Sequence, residues 1–277
     1  ALDEDLHNGP DVTTNSTVPA KQRSAGVFVS RQTGCIAGLA IAGAVFDMVC
    51  GAENVVFTQL VADGARVEPG IRVASVEGPT RGLLTAERTA LNLLGHLSGV
   101  ATATSQWADA ISSTSAKVRD TRKTTPGMRA LEKYAVRCGG GVNHRMSLSD
   151  AALVKDNHIV AAGGVTEAFA AVRAAAPSIV LEIEVDTIDQ LRTALAAGAD
   201  LVLLDNMKPD VLREAVAIAA QHLASTGRAV VLEASGGLTL ENAQSVAATG
   251  VNYTSVGALT HSAKVLDIGL DLETIVA

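Results

Sequence analysis

The sequence predicts an α/β protein in which an incomplete (β/α) barrel follows an N-terminal α/β open-faced sandwich domain. Apolar strand-like runs alternate with amphipathic helical stretches after about residue 112, whereas short Val-rich runs separated by turn signals fill the part before residue 82. Of the 277 residues, 48% are hydrophobic and only 3% aromatic, which favours helices and buried parallel strands. The predicted domains are residues 1–99, completed by residues 262–277, and the barrel at residues 100–261.

The N-terminal part predicts a small number of strands and two helices. The stretch SAGVFVSRQTGCIAGLAIAGAVFDMV predicts a strand, a turn and an Ala-rich helix. VADGARVEPGIRVASVEGPTRGLL predicts a meander, because Asp-Gly and Pro-Gly turns separate its short strands. LLTAERTALNLLGHLSGVATATSQWADAIS has helical apolar spacing, and we expect a break near Gly95 or Gly99 because glycine weakens a helix.

Six strand candidates follow: AKVRDTR, AALVKDNH, IVLEIEVD, ADLVLLDN, AVVLEASGG and YTSVGA. Helical stretches such as VTEAFAAVRAAA, TIDQLRTALAAG, KPDVLREAVAIAAQHLA and TLENAQSVAATG separate most of them. Strands that alternate with helices of this length indicate βαβ units and a parallel sheet. The spacing therefore predicts a (β/α) barrel or most of one.

Each of these strands is apolar until its last residue or two, where a charged or small polar residue stands. In a barrel these positions meet at the carboxyl-terminal rim, where active sites lie. The alternative is that they cap the following helices, which suits DTIDQ and DNMKPD but not Lys155 or Glu184, which lie inside apolar runs. The rim residues in chain order are Arg122, Lys123, Lys155, Glu184, Asp205, Glu233, Ser235, Ser255 and Gly257.

The charge is unevenly distributed along the chain. The formal net charge is -7, yet residues 119–155 carry eight Lys/Arg against three Asp/Glu. Local positive charge on an acidic protein indicates a pocket for a small anion, and the acidic total argues against a nucleic-acid or membrane-surface partner. The alternative is a solvated helix face, which we favour for Arg129 and Lys133 because they are four residues apart in a helical run.

The cysteines and the apolar stretches predict a cytoplasmic protein. Cys35, Cys50 and Cys138 are odd in number, far apart and without metal-ligand spacing, which predicts reduced thiols. No leader is recognisable, and the apolar stretches are Ala-rich, interrupted by charges and too short to span a bilayer. We therefore expect no membrane partner.

Three groups of rim residues suggest a ligand with three kinds of anchor. EASGGL and SVGALTHS are successive glycine-containing turns, where backbone N–H groups can approach a phosphate; the alternative is two tight turns. Glu184 and Asp205 end neighbouring strands, and carboxylates there suit Mg²⁺ or sugar hydroxyls, whereas no His pair has the helical spacing of a zinc site.

A set of basic residues, which we call the basic collar, is predicted opposite these acids: Arg122, Lys123, His144, Arg145 and Lys155. Arginine forks bind carboxylates with two hydrogen bonds, although an alternative makes Lys155 a Schiff-base lysine, as in some barrel aldolases. The expected ligand carries phosphate, metal-chelating oxygens and carboxylates. Phosphoribosyl pyrophosphate together with an aromatic acid has this combination of groups.

The chain resembles the quinolinate phosphoribosyltransferase family in segments that follow the family order and cover nearly the whole sequence. The most specific run from DTRKTTPGMR to GGGVNHR. Members usually have a further helix before EDLHNGPD, whereas this sequence starts at Ala1, so an incomplete domain edge is expected. The other matching segments are EDLHNGPDVTT, TAERTALNLLGHLSGVAT, DAALVKDNH, LEIEVD, LVLLDN, EASGGL and SVGALTHS.

The resemblance implies an activity and a homo-oligomer. The enzyme would transfer the phosphoribosyl group of phosphoribosyl pyrophosphate to the ring nitrogen of quinolinate with decarboxylation, giving nicotinate mononucleotide for NAD biosynthesis, with Mg²⁺ as cofactor. Arg88 would bind quinolinate across the interface of a homodimer or higher homo-oligomer. Without the family, Arg88 is equally a helix-surface residue paired with Glu87 or Glu77.

The resemblance also implies a set of site residues. The catalytic residues would be Lys123, Lys155, Glu184 and Asp205, of which Glu184 and Asp205 would hold the ribose hydroxyls and Mg²⁺. The quinolinate carboxylates and the pyrophosphate would contact the basic collar. The remaining substrate-binding residues would be Thr121 and the phosphate cradle of Ser235, Gly236, Gly237, Ser255, Val256 and Gly257.

Three alternatives remain open at this point. The first is a Schiff-base barrel aldolase that uses Lys155, and the second is a phosphoribosyltransferase for another pyridine carboxylate such as nicotinate. The third is a non-catalytic sensor of nucleotide precursors. Three arginines at Arg88, Arg122 and Arg145 favour a dicarboxylate over a monocarboxylate.

Overall fold

The computed structural model describes residues 1–274. The chain divides into two compact units. The first comprises Ala1–Ser105, Leu131–Gly140 and the segment from Ser262 onward, and the second comprises Gln106–Ala130 and Gly141–His261. The domain boundary expected after residue 99 stays a prediction. The end of the predicted completing segment 262–277, residues 275–277, lies outside the described residues.

The elements are numbered in chain order. Those up to residue 110 are α1 (Leu2–Leu6), α2 (Val12–Thr17), β1 (Arg23–Ser30), β2 (Gly34–Cys35), α3 (Leu39–Cys50), β3 (Val56–Gln59), β4 (Arg66–Val67), β5 (Arg72–Pro79) and α4 (Thr80–Ala110). Those after it are β6 (Lys117–Arg119), α5 (Arg129–Cys138), β7 (Ala152–Val154), α6 (Asp156–Ala162), α7 (Val165–Ala175), β8 (Leu181–Val185), α8 (Ile188–Ala197), β9 (Leu201–Asp205), α9 (Pro209–Thr226), β10 (Val231–Ser235), α10 (Leu240–Ala247), β11 (Tyr253–Ser255), α11 (Ala258–His261) and β12 (Ile268–Thr274).

The first unit is built on an antiparallel sheet with the strand order β12-β1-β5-β3. Strand β1 is central and pairs with β12 on one side and β5 on the other. Phe28 of β1 packs edge-to-face against Phe46 of α3 and Phe57 of β3, with ring centroids 5.8 and 5.7 Å away. Aromatic pairs at such distances add to the stability gained by burying their area, so this cluster anchors α3 on the sheet.

Helix α4 is continuous from Thr80 to Ala110, so the predicted break near Gly95 or Gly99 is wrong. A Cβ on Gly99 would overlap the carbonyl of Lys264, and one on Gly95 would lie 3.0 Å from the carbonyl oxygen of Leu266. The two glycines therefore let the segment before β12 pass close to the helix backbone. This packing outweighs the intrinsic cost of glycine in a helix, about 1 kcal/mol per residue.

The solvated helix face predicted for Arg129 and Lys133 is wrong for Lys133. Lys133 and its neighbour Glu132 in α5 are fully buried, and Glu132 is hydrogen-bonded to His96 Nε2 at 2.8 Å. Arg129 instead donates to the carbonyl oxygen of Met146 at 3.1 Å. A spacing of four residues places two side chains on one helix face, but it does not tell whether that face meets water.

The second unit contains a six-stranded parallel sheet with the order β6-β11-β10-β9-β8-β7. Helices α7 to α10 connect or follow its strands, and the buried core includes Ile183, Leu191, Val202 and Leu204. Among the described residues, β6 and β7 end the sheet without pairing to each other. A parallel sheet that does not close in this unit, together with an antiparallel sheet in the other unit, confirms the predicted fold class.

The two predicted helix caps have different outcomes. In DTIDQ, Thr187 accepts a hydrogen bond from the backbone N–H of Gln190 and caps α8 as expected. In DNMKPD the prediction is wrong, because Lys208 occupies the cap position of α9 without a side-chain cap and Pro209 begins the helix. Asp205 and Asn206 are thus left for another role. In residues 1–274 no helix has both the length and the hydrophobicity that crossing a bilayer requires.

Candidate active site

A cavity of about 390 Å³ opens at the carboxyl ends of the parallel strands of the second unit. Every residue that lines it belongs to that unit. Its position is the rim that the strand-end pattern predicts. The lining residues are Thr121, Arg122, Lys123, His144, Arg145, Leu153, Lys155, Glu184, Leu203, Asp205, Glu233, Ser235 and Ser255.

Strand register explains why the polar ends meet. Asp205 of β9 is paired with Ser235 of β10, and Ser235 is paired with Ser255 of β11. Ser255 is in turn paired with Arg119 of β6. Because the strands are parallel and in step, their last residues form one row, although the paired residues Arg119 and Ser255 are 136 residues apart in sequence.

The predicted residues that do not line the cavity fall into two classes. Gly236 and Gly237 directly follow the lining residue Ser235, and Val256 and Gly257 directly follow Ser255. Arg88 is different, since it is an exposed residue of α4 in the first unit.

Two arginines give the cavity its excess positive charge. Arg122 Nε is buried and has no hydrogen-bond partner among the described residues. Arg145 donates through Nη1 to the carbonyl oxygen of Ala151 at 2.7 Å, and its pKa is lowered first by burial and then by the charge of Arg122. Two guanidinium groups that destabilise each other in this way favour an anionic ligand between them.

Lys155 and Glu184 form an ion pair at the cavity. Their side chains are 44% and 17% exposed, so a ligand can reach both. Lys155 directly follows β7, and Glu184 lies near the end of β8. A lysine paired with a carboxylate is suited to bind charge, whereas a Schiff-base lysine is activated by desolvation in an apolar pocket or by a neighbouring cation, and Lys155 is partly exposed. This contact argues against the aldolase alternative.

Glu233 lines the cavity, but the sequence pattern assigns it no role beyond its place at a strand end. It is fully buried, and its Oε2 lies 2.5 Å from Arg119 Nη1 while its Oε1 accepts a hydrogen bond from Ser255 Oγ. Burial, followed by the charge of Glu182, raises its pKa above the ordinary value. An acidic residue inside an apolar strand is the signal that could have revealed such a buried network.

His144 has protein partners on both ring nitrogens. Its Nδ1 accepts a hydrogen bond from the backbone N–H of Arg145 at 2.7 Å, and its Nε2 lies 3.0 Å from Glu182 Oε2. This pattern assigns the ring proton to Nε2, which donates to Glu182. The ligand atoms of His144, Glu182 and Glu233 lie within 4.8 Å of one another, but in this arrangement the Nε2 lone pair is not available to a metal ion, because Nε2 donates to Glu182.

The two glycine turns of the predicted phosphate cradle differ in backbone conformation. Gly236 and Gly237 are both left-handed, with φ of 83° and 60°, a conformation that glycine adopts at no steric cost. At the other turn, a Cβ on Gly257 would lie 2.8 Å from Lys123 Cδ, so this glycine makes room for a lysine of the cavity.

Two donors of the predicted cradle are already engaged within the second unit. The hydroxyl of Ser255 donates to Glu233, and the backbone N–H of Val256 donates to the carbonyl oxygen of Arg119 at 2.9 Å. The roles implied for Ser255 and Val256 stay predictions, as does the role implied for His144. If they contribute to binding, they do so by shaping the cavity rather than through these donors.

Comparisons with known proteins identify the same family along nearly the whole chain. Residues 11–98 match the N-terminal domain of quinolinate phosphoribosyl transferase, and residues 100–271 match its C-terminal domain. A nicotinate-nucleotide pyrophosphorylase (carboxylating) of Mycobacterium leprae strain TN is 53% identical over 272 residues, covering 98% of this chain and 94% of that protein. A probable enzyme of the same name from Bacillus subtilis strain 168 is 44% identical, covering 97% and 90%. The crystal structure of NadC from Streptococcus pyogenes superposes with a TM-score of 0.92 at 39% identity, covering 99% and 94%.

Proposed function

The chain belongs to the quinolinate phosphoribosyltransferase family, as the sequence predicts, and we propose that it transfers a phosphoribosyl group to the ring nitrogen of quinolinate. The donor is phosphoribosyl pyrophosphate, and the products are nicotinate mononucleotide, pyrophosphate and CO₂. The step belongs to NAD biosynthesis. The observation that carries the proposal is the joint presence of Arg122, Arg145 and Lys155 with two strand-end carboxylates in one cavity.

The first chemical step is displacement of pyrophosphate. The ring nitrogen attacks C1 of the ribose, and the C1–O bond to pyrophosphate breaks, so positive charge develops on the sugar in the transition state. Glu184 and Asp205 stabilise that charge from the ribose side, while Lys123 and the arginines stabilise the negative charge of the departing pyrophosphate. These charges are fixed by the protein before the reaction, which is what makes them effective.

The second step is loss of the C2 carboxylate. Glycosylation makes the ring nitrogen cationic, so the electron pair left at C2 by departing CO₂ is stabilised until a proton replaces it. The C3 carboxylate must be held firmly, and we assign it to Arg145 or Arg122, whose buried Nε has no hydrogen-bond partner among residues 1–274. We place Lys155 near the C2 carboxylate, where its ion pair with Glu184 can exchange for the substrate.

The donor set fits Mg²⁺. Glu184 and Asp205 offer carboxylate oxygens to the same cavity, and hard oxygen ligands together with substrate phosphates are what Mg²⁺ prefers. When bound there with the substrate, the ion would neutralise charge on the pyrophosphate group. The left-handed Gly236 and Gly237 would accommodate the 5′-phosphate next to these carboxylates.

An absorbance assay for nicotinate mononucleotide tests the proposed reaction. Quinolinate, phosphoribosyl pyrophosphate and Mg²⁺ are supplied together, and nicotinate replaces quinolinate in the parallel reaction. We expect product from quinolinate and essentially none from nicotinate, because two arginines suit a dicarboxylate. Equal rates with nicotinate would make the protein a transferase for another pyridine acid, and absence of product with both acids would reject the proposal.

We also propose that the enzyme is a homodimer or a higher homo-oligomer in which Arg88 acts on the quinolinate of a neighbouring subunit. Its exposure on α4 supports this role. Mixing inactive Arg88→Ala protein with inactive Lys155→Ala protein tests it, since hybrid assemblies then contain one intact site. Restored activity supports action across subunits, and a mixture as inactive as its components contradicts it.

The cytoplasm stays the predicted compartment, because of the number and spacing of the cysteines in the sequence.

A further inference from the structure

Asn206 has a strained backbone directly after the strand-end carboxylate Asp205. Its φ is 52°, and it is the sole non-glycine residue with positive φ in the described part of the chain. Left-handed backbone is unfavourable for residues with a Cβ, and asparagine tolerates it better than most. Strain of this kind persists where neighbouring contacts enforce it, and it is common at functional sites.

Two hydrogen bonds made by Asn206 connect the ends of β9 and β10. Its backbone N–H donates to the carbonyl oxygen of Ser235 at 2.9 Å. Its side-chain Nδ2 donates to Asp205 Oδ2 at 2.6 Å. The second bond has an ionised acceptor, which makes it shorter and stronger than a neutral hydrogen bond. A single residue thus fixes the orientation of the Asp205 carboxylate relative to the next strand.

The same side chain contacts the first glycine of the predicted phosphate turn. A Cβ on Gly236 would overlap Asn206 Oδ1 and would lie 2.9 Å from Asp205 Oδ1. The backbone of Gly236 therefore lies directly against both side chains, and any residue other than glycine would displace them. Asn206 lies between the carboxylate assigned to the ribose and metal and the turn assigned to the 5′-phosphate.

We propose that Asn206 is a positioning residue that sets the distance and orientation between Asp205 and the Gly236 turn, and thereby the affinity for phosphoribosyl pyrophosphate. This inference rests on the proposed function, because it assigns the two neighbouring groups to the two ends of that substrate. Asn206 is exposed and adds no core packing. Its amide acts on the substrate through Asp205, so its removal leaves the quinolinate contacts of the basic collar intact.

The variant Asn206→Gly tests the effect of the side-chain amide separately from the effect of the backbone conformation. Glycine adopts the left-handed conformation without strain, so the turn is retained while the hydrogen bond to Asp205 is lost. We expect the KM and the calorimetric Kd for phosphoribosyl pyrophosphate to rise about tenfold, the size of a lost hydrogen bond to a charged group. The KM for quinolinate should change by less than about twofold, a difference too small for a lost contact.

The variant Asn206→Asp provides a second test. It keeps the size of the side chain but replaces the donor by a carboxylate next to Asp205, so we expect a larger increase in both constants, about a hundredfold. A purely conformational role predicts no increase in either variant, because glycine relieves the strain and aspartate tolerates it. Increases in both variants therefore distinguish positioning of Asp205 from backbone shape.

The chain offers a matched control in Asn54. It is also exposed, and its Nδ2 donates to the preceding acidic residue, Glu53, at 3.0 Å, but it lies in the first unit and does not line the cavity. Asn54→Gly should leave both KM values unchanged, and circular dichroism should show that all three variants are folded.

Wild-type affinity for phosphoribosyl pyrophosphate in Asn206→Gly would overturn the inference, as would equal increases for both substrates. Failure of the wild-type protein to bind phosphoribosyl pyrophosphate or form product would instead reject the proposed function on which the inference rests.

Discussion

The second unit contains two ion pairs, each between a basic and an acidic side chain, that differ in their exposure to solvent. Lys155 and Glu184 line the cavity with side chains that are 44% and 17% exposed, whereas Arg119 and Glu233 have side chains that are 15% and 0% exposed. A solvated pair contributes little to stability and can exchange its partner for a ligand. A buried pair cannot be separated without leaving a charge uncompensated.

The surroundings of Arg119 reinforce the difference. Its guanidinium lies 4.6 Å from the centroid of the Tyr253 ring, and the partner carboxylate of Glu233 also accepts from Ser255. These contacts join β6, β10 and β11, and two of the residues involved, Glu233 and Ser255, line the cavity. The strand-end charges of this sheet therefore differ in accessibility: the partly exposed pair lies where a ligand can reach it, and the buried pair links strands that line the cavity.

Arg119→Met should have the largest effect. It leaves the Glu233 carboxylate buried without its cation, which typically lowers the free energy of unfolding by about 3–5 kcal/mol. Urea denaturation followed by circular dichroism measures the change. Arg213→Met is the control, because Arg213 pairs with Asp210 at the surface, with side chains 54% and 95% exposed, and its loss should cost less than about 1 kcal/mol. Equal losses in the two variants would remove the distinction between the pairs.

Lys155→Ala should lower turnover by about two to three decades, corresponding to roughly 2–4 kcal/mol of lost transition-state stabilisation. Its free energy of unfolding should change by less than about 1 kcal/mol, because the pair is partly solvated. Steady-state kinetics and urea denaturation give the two numbers, with the exposed Lys21→Ala as the control for loss of a lysine. Activity like that of the wild type would overturn the assignment of the basic collar.

Glu184→Ala and Asp205→Ala should weaken use of phosphoribosyl pyrophosphate more than binding of quinolinate. Each removes a carboxylate assigned to the ribose and metal, and we expect about a tenfold rise in Kd for the phosphoribosyl donor. Calorimetry with each substrate alone measures the effect. The reverse preference would assign these acids to the pyridine substrate instead.

The pH dependence of stability should reveal the buried carboxylate of Glu233. Because burial and the charge of Glu182 raise its pKa, its contribution to stability is complete below the ordinary carboxyl value of 4.5 and is lost as the pH rises through the folded-state pKa. Glu233→Gln cannot ionise, so its free energy of unfolding should improve relative to wild type as the pH rises. Urea denaturation at a series of pH values from about 4 to 8 measures this trend.

Glu241→Gln supplies a control of opposite sign. A hydrogen bond from the Thr239 side chain lowers the pKa of Glu241, so that group stabilises the fold above its ordinary value and loses this contribution as the pH falls. The variant should therefore become less stable than wild type as the pH rises. If both variants follow the same trend with pH, the assigned direction for Glu233 is wrong.

The parts of the fold that local patterns encode could be predicted from the sequence. Six apolar runs correspond to β6–β11, and their polar ends, among them Lys155, Glu184 and Asp205, line one cavity. The carboxyl ends of parallel strands lie at the same edge of a sheet. Recognising the six strands in the sequence was therefore sufficient to predict that their polar ends lie close together. The family assignment made from the sequence segments is confirmed by the matches of residues 11–98 and 100–271 to the two family domains.

Features that depend on distant residues could not be predicted in this way. The sequence predicts a helix break at Gly99, because it does not show that the carbonyl of Lys264 packs against this glycine. It predicts a surface charge at Lys133, because it does not show that this side chain is buried. Likewise, Arg119 and Glu233 are separated by 114 residues, and no local pattern pairs them. The left-handed backbone of Asn206 is visible only in the structure, because the residue types at positions 205 and 206 do not specify φ.

Tracing the two carboxyl groups of quinolinate through one reaction tests whether phosphoribosyl transfer and decarboxylation occur together. Quinolinate with an isotopic label in the C2 carboxyl group is incubated with the protein, phosphoribosyl pyrophosphate and Mg²⁺, and CO₂, pyrophosphate and nucleotide are quantified. We expect equal amounts of the three, with all label in CO₂, and retention of label in the nucleotide when the C3 carboxyl group is labelled instead. Label from C2 remaining in the nucleotide, or CO₂ released without pyrophosphate, would contradict it.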